Sequence, residues 1–332
     1  MGYLGRVSQN HVVIAPRGTS FATPCAAQFE RALTSGDFEG IDGVEPAGPA
    51  DAVVTLLAIY DLWLGDVREQ DGRERYQNHP AVAALKWRLE ARFLARLDEL
   101  VPAHTVEEVD AVGALRRIAR RDDAPIYDWL ATSATWAQLV RFLAIEGGPD
   151  GGFDDLVAIC QVGIDGGPKV VLGANYWDEM GRGELAAVHT ELHHRLARAV
   201  DLPRLRWDEL PLSALERSAL NGLLATNRWL QPEMIGALGL LELQAGPRCR
   251  RVVRALRRLG APEGAFPFYE EHADTDPRHG KEWIEGAVAP LVEAHPEWNA
   301  RIVRGARWRA ALNCRLFADA QRLLVTKAAE PA

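Results

Sequence analysis

From Asp51 almost to its end, this 332-residue chain repeats its apolar residues with the 3.6-residue period of an amphipathic helix. No six-residue segment alternates cleanly with the period of two that a half-buried strand needs. Pro80–Leu100 (PAVAALKWRLEARFLARLDEL) shows the pattern: proline at a first-turn position, then a stripe of Val82, Leu85, Leu89, Phe93, Leu97 and Leu100. Ala50–Leu64 is apolar enough for a buried helix. Further helices are predicted at about 105–120, 134–146, 153–163, 183–200, 212–228, 231–245, 248–259, 263–276 and 299–326. Glu146–Gly152 (EGGPDGG) and Ile164–Pro168 (IDGGP) read as turns. Neither GxGxxG nor GxxxxGK[ST] occurs, so a Rossmann or P-loop fold has no support. The expectation is an all-α helical bundle with an N-terminal helical extension. Residues 1–50, rich in glycine and proline, read as an irregular arm with at most a short extended piece at His11–Ile14. The extension is then 51–130, and the main bundle is 131–328.

Composition excludes several classes of function. At 48% hydrophobic and 25% charged residues the chain is ordinary globular protein rather than disordered or fibrous. A net charge of −8 argues against a bulk electrostatic grip on nucleic acid or anionic membrane. The first twenty residues lack the apolar core of a signal peptide and, with Arg6, fail the myristoylation pattern. The longest apolar stretch, Leu56–Leu64, is interrupted by Asp61 and is too short for a membrane span. Cys25, Cys160, Cys249 and Cys314 are far apart with no CxxC, which suits a reducing compartment. A cytoplasmic location is expected.

Chemistry must come from particular residues, and five of the nine histidines fall in two segments. In Phe268–His279, FYEEHADTDPRH, the residues His272, Asp276 and His279 stand at i, i+4 and i+7. At 100° per residue they project at about 0°, 40° and −20°, one helix face. Two imidazoles and a carboxylate so placed suit iron, manganese or zinc. Pro277 should kink this segment, and a solvated acidic turn with incidental histidines is the plain alternative. In the other segment, NYWDEMGRG leads into a helix containing His189. Glu179 and His189 are ten residues apart, about 80° on a straight helix, so only a bend at the intervening glycines would aim them together. His193 and His194 read as a partly solvated face: HTELH lacks the glutamate of HExxH, and Glu191/His194 is one ExxH without a second.

Glu242 sits in an otherwise apolar helix. A buried carboxylate needs a cation, a partner or a proton, and here a metal and an arginine from 248–258 are equally good readings. The six arginines of that segment alternate with Val252, Val253, Leu256 and Leu259. They describe a solvated amphipathic face rather than a nucleic-acid site.

Together, DEMGRG, His189, Glu242 and FYEEH-x3-D-x2-H resemble the haem-oxygenase-like non-haem di-iron oxidases, the iron-containing redox enzymes. The resemblance covers roughly residues 50–325, including the helix YQNHPAVAALKWRLEARFLARL and the segment TWAQLVRFL. It implies a seven-helix haem-oxygenase-like fold that binds two iron ions (Fe2+) instead of haem, with manganese or zinc as substitutes, and activates dioxygen. His189, Glu242, His272, Asp276 and His279 match ligand positions of the family, and Glu179 matches its acidic position as a ligand or a group behind one. The carboxylate of the first core helix is where this sequence departs. Glu146 is followed by helix-breaking Gly-Gly-Pro, and an ungapped reading puts Phe153 at the acidic position with Asp154 and Asp155 beside it. Glu146 and Asp155 are the competing candidates. The implied partners are dioxygen, a small amino- or carboxylate-bearing substrate and an electron donor, with no nucleic acid and no membrane. A homodimer suits the fold family, although no heptad seam marks one. The other readings are a metal-binding but catalytically silent helical protein and a haem-binding or cofactorless member of the same fold.

Overall fold

Proline sets many of the helix starts: Pro24, Pro49, Pro80, Pro125 and Pro267 each open a helix, where a missing N–H costs nothing. The computed structural model describes residues 23–101, 110–122, 124–147 and 152–326. Among them the α-helices are α1 Pro24–Ser35, α2 Pro49–Leu64, α3 Pro80–Leu100, α4 Ala111–Arg120, α5 Pro125–Thr132, α6 Trp136–Gly147 and α7 Phe153–Cys160. They continue with α8 Gly166–Glu179, α9 His189–Ala199, α10 Leu212–Thr226, α11 Gln231–Arg258, α12 Pro267–Glu282, α13 Ala289–Ala294 and α14 Trp298–Thr326. A π-helical stretch, Trp283–Val288, joins α12 to α13. The described residues contain no strand, so the expected all-α bundle is what the chain forms. None of the described helices is long and apolar enough to cross a membrane.

Several predicted boundaries move, each for a physical reason. The supposedly irregular arm contains α1, which buries Cys25, Ala26, Phe29, Ala32 and Leu33 against α2. Its start is capped from a distance. Buried Asp51 of α2 accepts from the backbone N–H groups of Cys25 (3.1 Å) and Ala26 (3.2 Å), which no local Ser or Asp signals. The expected extended piece at 11–14 and the start of the helix expected at 105–120 lie outside the described residues. Ile164–Pro168 is not only a turn: α8 begins within it, with Pro168 in its first turn. The helix expected from 183 begins at His189.

The two helices expected at 231–245 and 248–259 are one, because α11 runs unbroken through Pro247. Pro277 likewise stays inside α12. A proline leaves the carbonyl four residues earlier without its helical donor. Here that carbonyl belongs to Ala273, and Arg250 Nη1 donates to it at 2.8 Å.

Two apolar cores result. One gathers α1, α2, α3, α10, the first half of α11, Trp283–Leu291 and the first half of α14. The other gathers α5, α6, α9, the Cys249–Leu256 part of α11, Tyr269 and Ala273 of α12, and the end of α14. On α11 the polar Glu242 lies between the two, and on α12 so do Asp276 and His279. The seam between the cores is therefore polar and buried.

Candidate metal centre

Close helix contact builds one side of the seam. Where α11 meets α12, a Cβ on Gly246 would stand 3.0 Å from the Pro277 ring, and one on Gly280 would stand 3.1 Å from the Glu242 carbonyl. These glycines let the backbones approach, so Glu242 and His279 face each other with Glu242 Oε2 3.6 Å from His279 Nδ1. Asp276 Oδ1 is 3.9 Å from the same nitrogen. Asn175 Nδ2 of α8 donates to Glu242 Oε1 at 2.9 Å. The arginine alternative for Glu242 finds no support. Arg248 pairs with Asp122, Arg251 with Asp128 and Arg257 with Glu270, while Arg250 and Arg258 donate to backbone carbonyls.

A reverse turn builds the other side. Helix α8 ends at Glu179, and Gly181, Arg182 and Gly183 all take positive φ (59°, 54° and 90°), which folds the chain back before α9 starts at His189. Glu179 and His189 thus belong to two helices rather than one, and the 80° separation of a straight helix does not apply. Glu179 Oε2 and His189 Nδ1 come within 2.6 Å. The ring of His272, from α12, sits 4.5 Å from that of His189.

Two donor groups emerge among the described residues, and Glu179 belongs to both. Ligand atoms of Glu179, His189 and His272 lie within 4.8 Å of one another, and so do those of Glu179, Glu242 and His279. The histidines are oriented for the task. His272 Nδ1 lies 2.7 Å from the Phe268 carbonyl, which can only accept, so Nε2 keeps its lone pair. His279 Nε2 lies 2.8 Å from Asp178 Oδ2, which leaves Nδ1 toward the seam. His189 Nε2, His279 Nδ1 and Asp276 Oδ2 are buried without a hydrogen-bond partner, and His189 Nδ1 faces only the Glu179 carboxylate. An unsatisfied buried polar group costs about 1–3 kcal/mol. Several such atoms converging on one seam fit divalent cations, and imidazole with carboxylate is a donor set that iron accepts.

Electrostatics agree with crowding by carboxylates. Burial and then Glu242 and Glu179 push the Asp276 carboxyl well up. Burial alone would lower His279, but Glu242, Asp178 and Glu179 outweigh it and raise it to about 9. His189 is raised by Glu179 against its own burial, whereas burial and the neighbouring His189 hold His272 down at about 4. Burial resists ionisation of Asp178, yet Arg182, His279 and Arg278 hold it well below the usual carboxylate range.

The two candidates for the first-helix carboxylate are placed differently. Glu146, at the end of α6, accepts from the Tyr127 hydroxyl and lines the cavity beside the seam, but falls in neither donor group. Asp155 is exposed on α7 and does not line the cavity. Neighbouring residues on a helix point about 100° apart, and it is Asp154 that faces inward. Burial, then Asp155 and Glu179, raise Asp154 to about 6. His193 is half-buried, and the side it turns inward is used. It lines the cavity, with its ring edge-on to Phe268 at 5.2 Å, and burial and His194 lower it to about 4. Asn175, which orients Glu242, carries little signal in the sequence. A polar residue one turn before Glu179 on α8 was the available signal.

The cavity has a volume of about 180 Å³. Its lining includes Glu179, His189, Glu242, His272 and Asp276, and also Arg217, Arg309 and Asn313 from α10 and α14.

Residues 142–313, just over half of the chain, match the profile of the iron-containing redox enzymes. The chain belongs to that family. The matched span contains both donor groups of this iron-containing redox enzyme. A nitrosourea synthase from Streptomyces achromogenes subsp. streptozoticus is 32% identical over 133 residues, 39% of this chain. The match spans 28% of that relative's length.

Proposed function

We propose that this protein is a di-iron oxidase that uses dioxygen to oxidise a small carboxylate-bearing molecule. The observation that carries the reading is Glu179, one buried carboxylate common to two three-residue donor groups. Glu179, His189 and His272 would hold one ion; Glu179, Glu242, Asp276 and His279 would hold the other. Ferrous iron, when bound, supplies electrons and open coordination positions for dioxygen, and an external donor restores the reduced state. The polypeptide does the rest. Phe268 and Tyr269 help wall the cavity against bulk water, the Phe268 carbonyl and Asn175 hold donor side chains in orientation, and the apolar cores on either side keep the seam rigid. Arg217, which donates to the Glu146 carbonyl, and Arg309, which donates to Asn221, are buried in the lining of the same cavity and supply the positive charge that a substrate carboxylate would meet. The four cysteines, all unpaired, suit a reducing cytosol.

Anaerobic titration with ferrous iron tests the reading. Saturation near two equivalents per chain, followed by dioxygen uptake that rises with a carboxylate-bearing substrate, is expected. Saturation at one equivalent removes the dinuclear reading. Uptake unaffected by exchanging the carboxylate for its amide removes the substrate class.

A further inference from the structure

We infer that Asp178 is a positioning residue that, together with Arg182 and Arg278, clamps His279 from behind so that Nδ1 is the nitrogen presented to the metal. The inference rests on the reading of Glu179, Glu242, Asp276 and His279 as one ion's ligands.

Asp178 and Glu179 are consecutive on the last turn of α8, so their side chains leave the helix about 100° apart. Glu179 turns into the seam, and Asp178 reaches the outer edge of the α12 histidine. Asp178 Oδ2 is 2.8 Å from His279 Nε2. An ionised carboxylate only accepts, so the proton of that bond is on Nε2, and the nitrogen that faces Glu242 and Asp276, whose proton a metal would displace, is Nδ1. Arg278 Nη2, itself a donor, is farther from Nε2 at 3.4 Å and donates instead to Asp178 Oδ2. The other oxygen, Oδ1, accepts from Arg182 Nε. Three donors thus hold both Asp178 oxygens in place.

The turn is shaped around this contact. Arg182 takes φ +54°, a left-handed conformation that residues with side chains rarely adopt, and its guanidinium folds back one turn onto Asp178. The same carboxylate therefore ties the α8–α9 reversal to α12, which also holds the adjacent Glu179 in register. His272 needs no such clamp. Its outer nitrogen is held by a backbone carbonyl of its own helix, four residues earlier. Removing Asp178 should accordingly disturb one ion and spare the other.

The test uses the full-length protein with ferrous iron under anaerobic conditions, and the zinc-loaded protein for nitrogen-15 NMR of the histidine rings. In Asp178→Ala, one of the two equivalents should weaken by roughly 10–100-fold, with the other unchanged. The His279 Nε2–H resonance, protected from exchange in the wild type, should disappear while that of His272 Nδ1–H remains. Equal weakening of both equivalents, or no weakening, overturns the inference, as does a lower melting temperature with wild-type affinities. Should Asp178→Ala fail to fold, Asp178→Leu keeps the bulk, offers no acceptor to Nε2–H and is read by the same two measurements. If the wild type itself takes one equivalent, the dinuclear reading fails. The clamp is then decided by the His279 Nε2–H resonance alone, present in the wild type and absent in the variant.

Discussion

The two donor groups share Glu179 but are built from different kinds of structure. The Glu242/His279 group stands on two long helices that touch through glycine, and its outer atoms are held by Asn175 and Asp178. The His189/His272 group depends on a three-residue reversal with consecutive positive φ values, and His189 Nε2 has no hydrogen-bond partner to orient the ring from behind. Helices hold ligands more precisely than turns, and orienting hydrogen bonds strengthen a histidine ligand. The helix-built group should therefore fill first and keep its ion longer, with the turn-built ion lost on dilution or exposure to air.

Glu179→Ala should have the largest effect, because it removes a donor from both groups at once. The expected result is loss of both ferrous equivalents in anaerobic titration. Retention of one equivalent at wild-type affinity would show that the carboxylate is not shared. Next come His272→Ala and His279→Ala, each of which should delete one equivalent. The survivor after His272→Ala should be the tighter of the two, and the survivor after His279→Ala the weaker. If both variants leave the same affinity, the contrast between helix and turn is wrong.

Gly181→Ala probes the turn alone. A Cβ there would sit 2.5 Å from the Ala187 carbonyl carbon, on a backbone with φ +59°. It should cost about 1–3 kcal/mol in chemical denaturation and weaken only the ion that depends on His189. Equal weakening of both ions would mean that the reversal supports the whole seam.

The smallest effect concerns acid. His193 beside the turn-built group is lowered to about 4 from an ordinary 6.5, first by burial and then by His194. A histidine held neutral in the fold leaves stability unchanged above pH 6.5. Below that, the unfolded chain takes up a proton that the fold refuses, so stability falls until about pH 4 and then levels. Between pH 6.5 and 5.5 the metal-free protein should lose about 1 kcal/mol from this group, and His193→Leu should flatten that part of the curve. An unchanged slope in His193→Leu would assign the acid sensitivity elsewhere.

Legibility in the sequence followed distance along the chain. His272, Asp276 and His279 could be read as one face because they share one helix, where the angle between residues is a constant of the backbone. The helix continues through Pro277, where Arg250, 27 residues upstream, donates to the carbonyl that proline leaves open. Glu242 could be recognised as a buried charge in an apolar helix. That it meets His279 and Asn175 rather than arginine was settled by which helices touch.

The 3.6-residue period, the proline starts and the absence of alternating segments were enough to determine an all-helical bundle. These are local preferences that each segment expresses by itself. The common use of Glu179, the orientation of His279 by Asp178, and the inward turn of Asp154 beside an exposed Asp155 were decided only in three dimensions. Each depends on a reversal through positive φ or on the angle at which one helix meets another. Those are set by backbone torsions and close contacts between segments far apart in the chain, which no pattern within a single segment encodes.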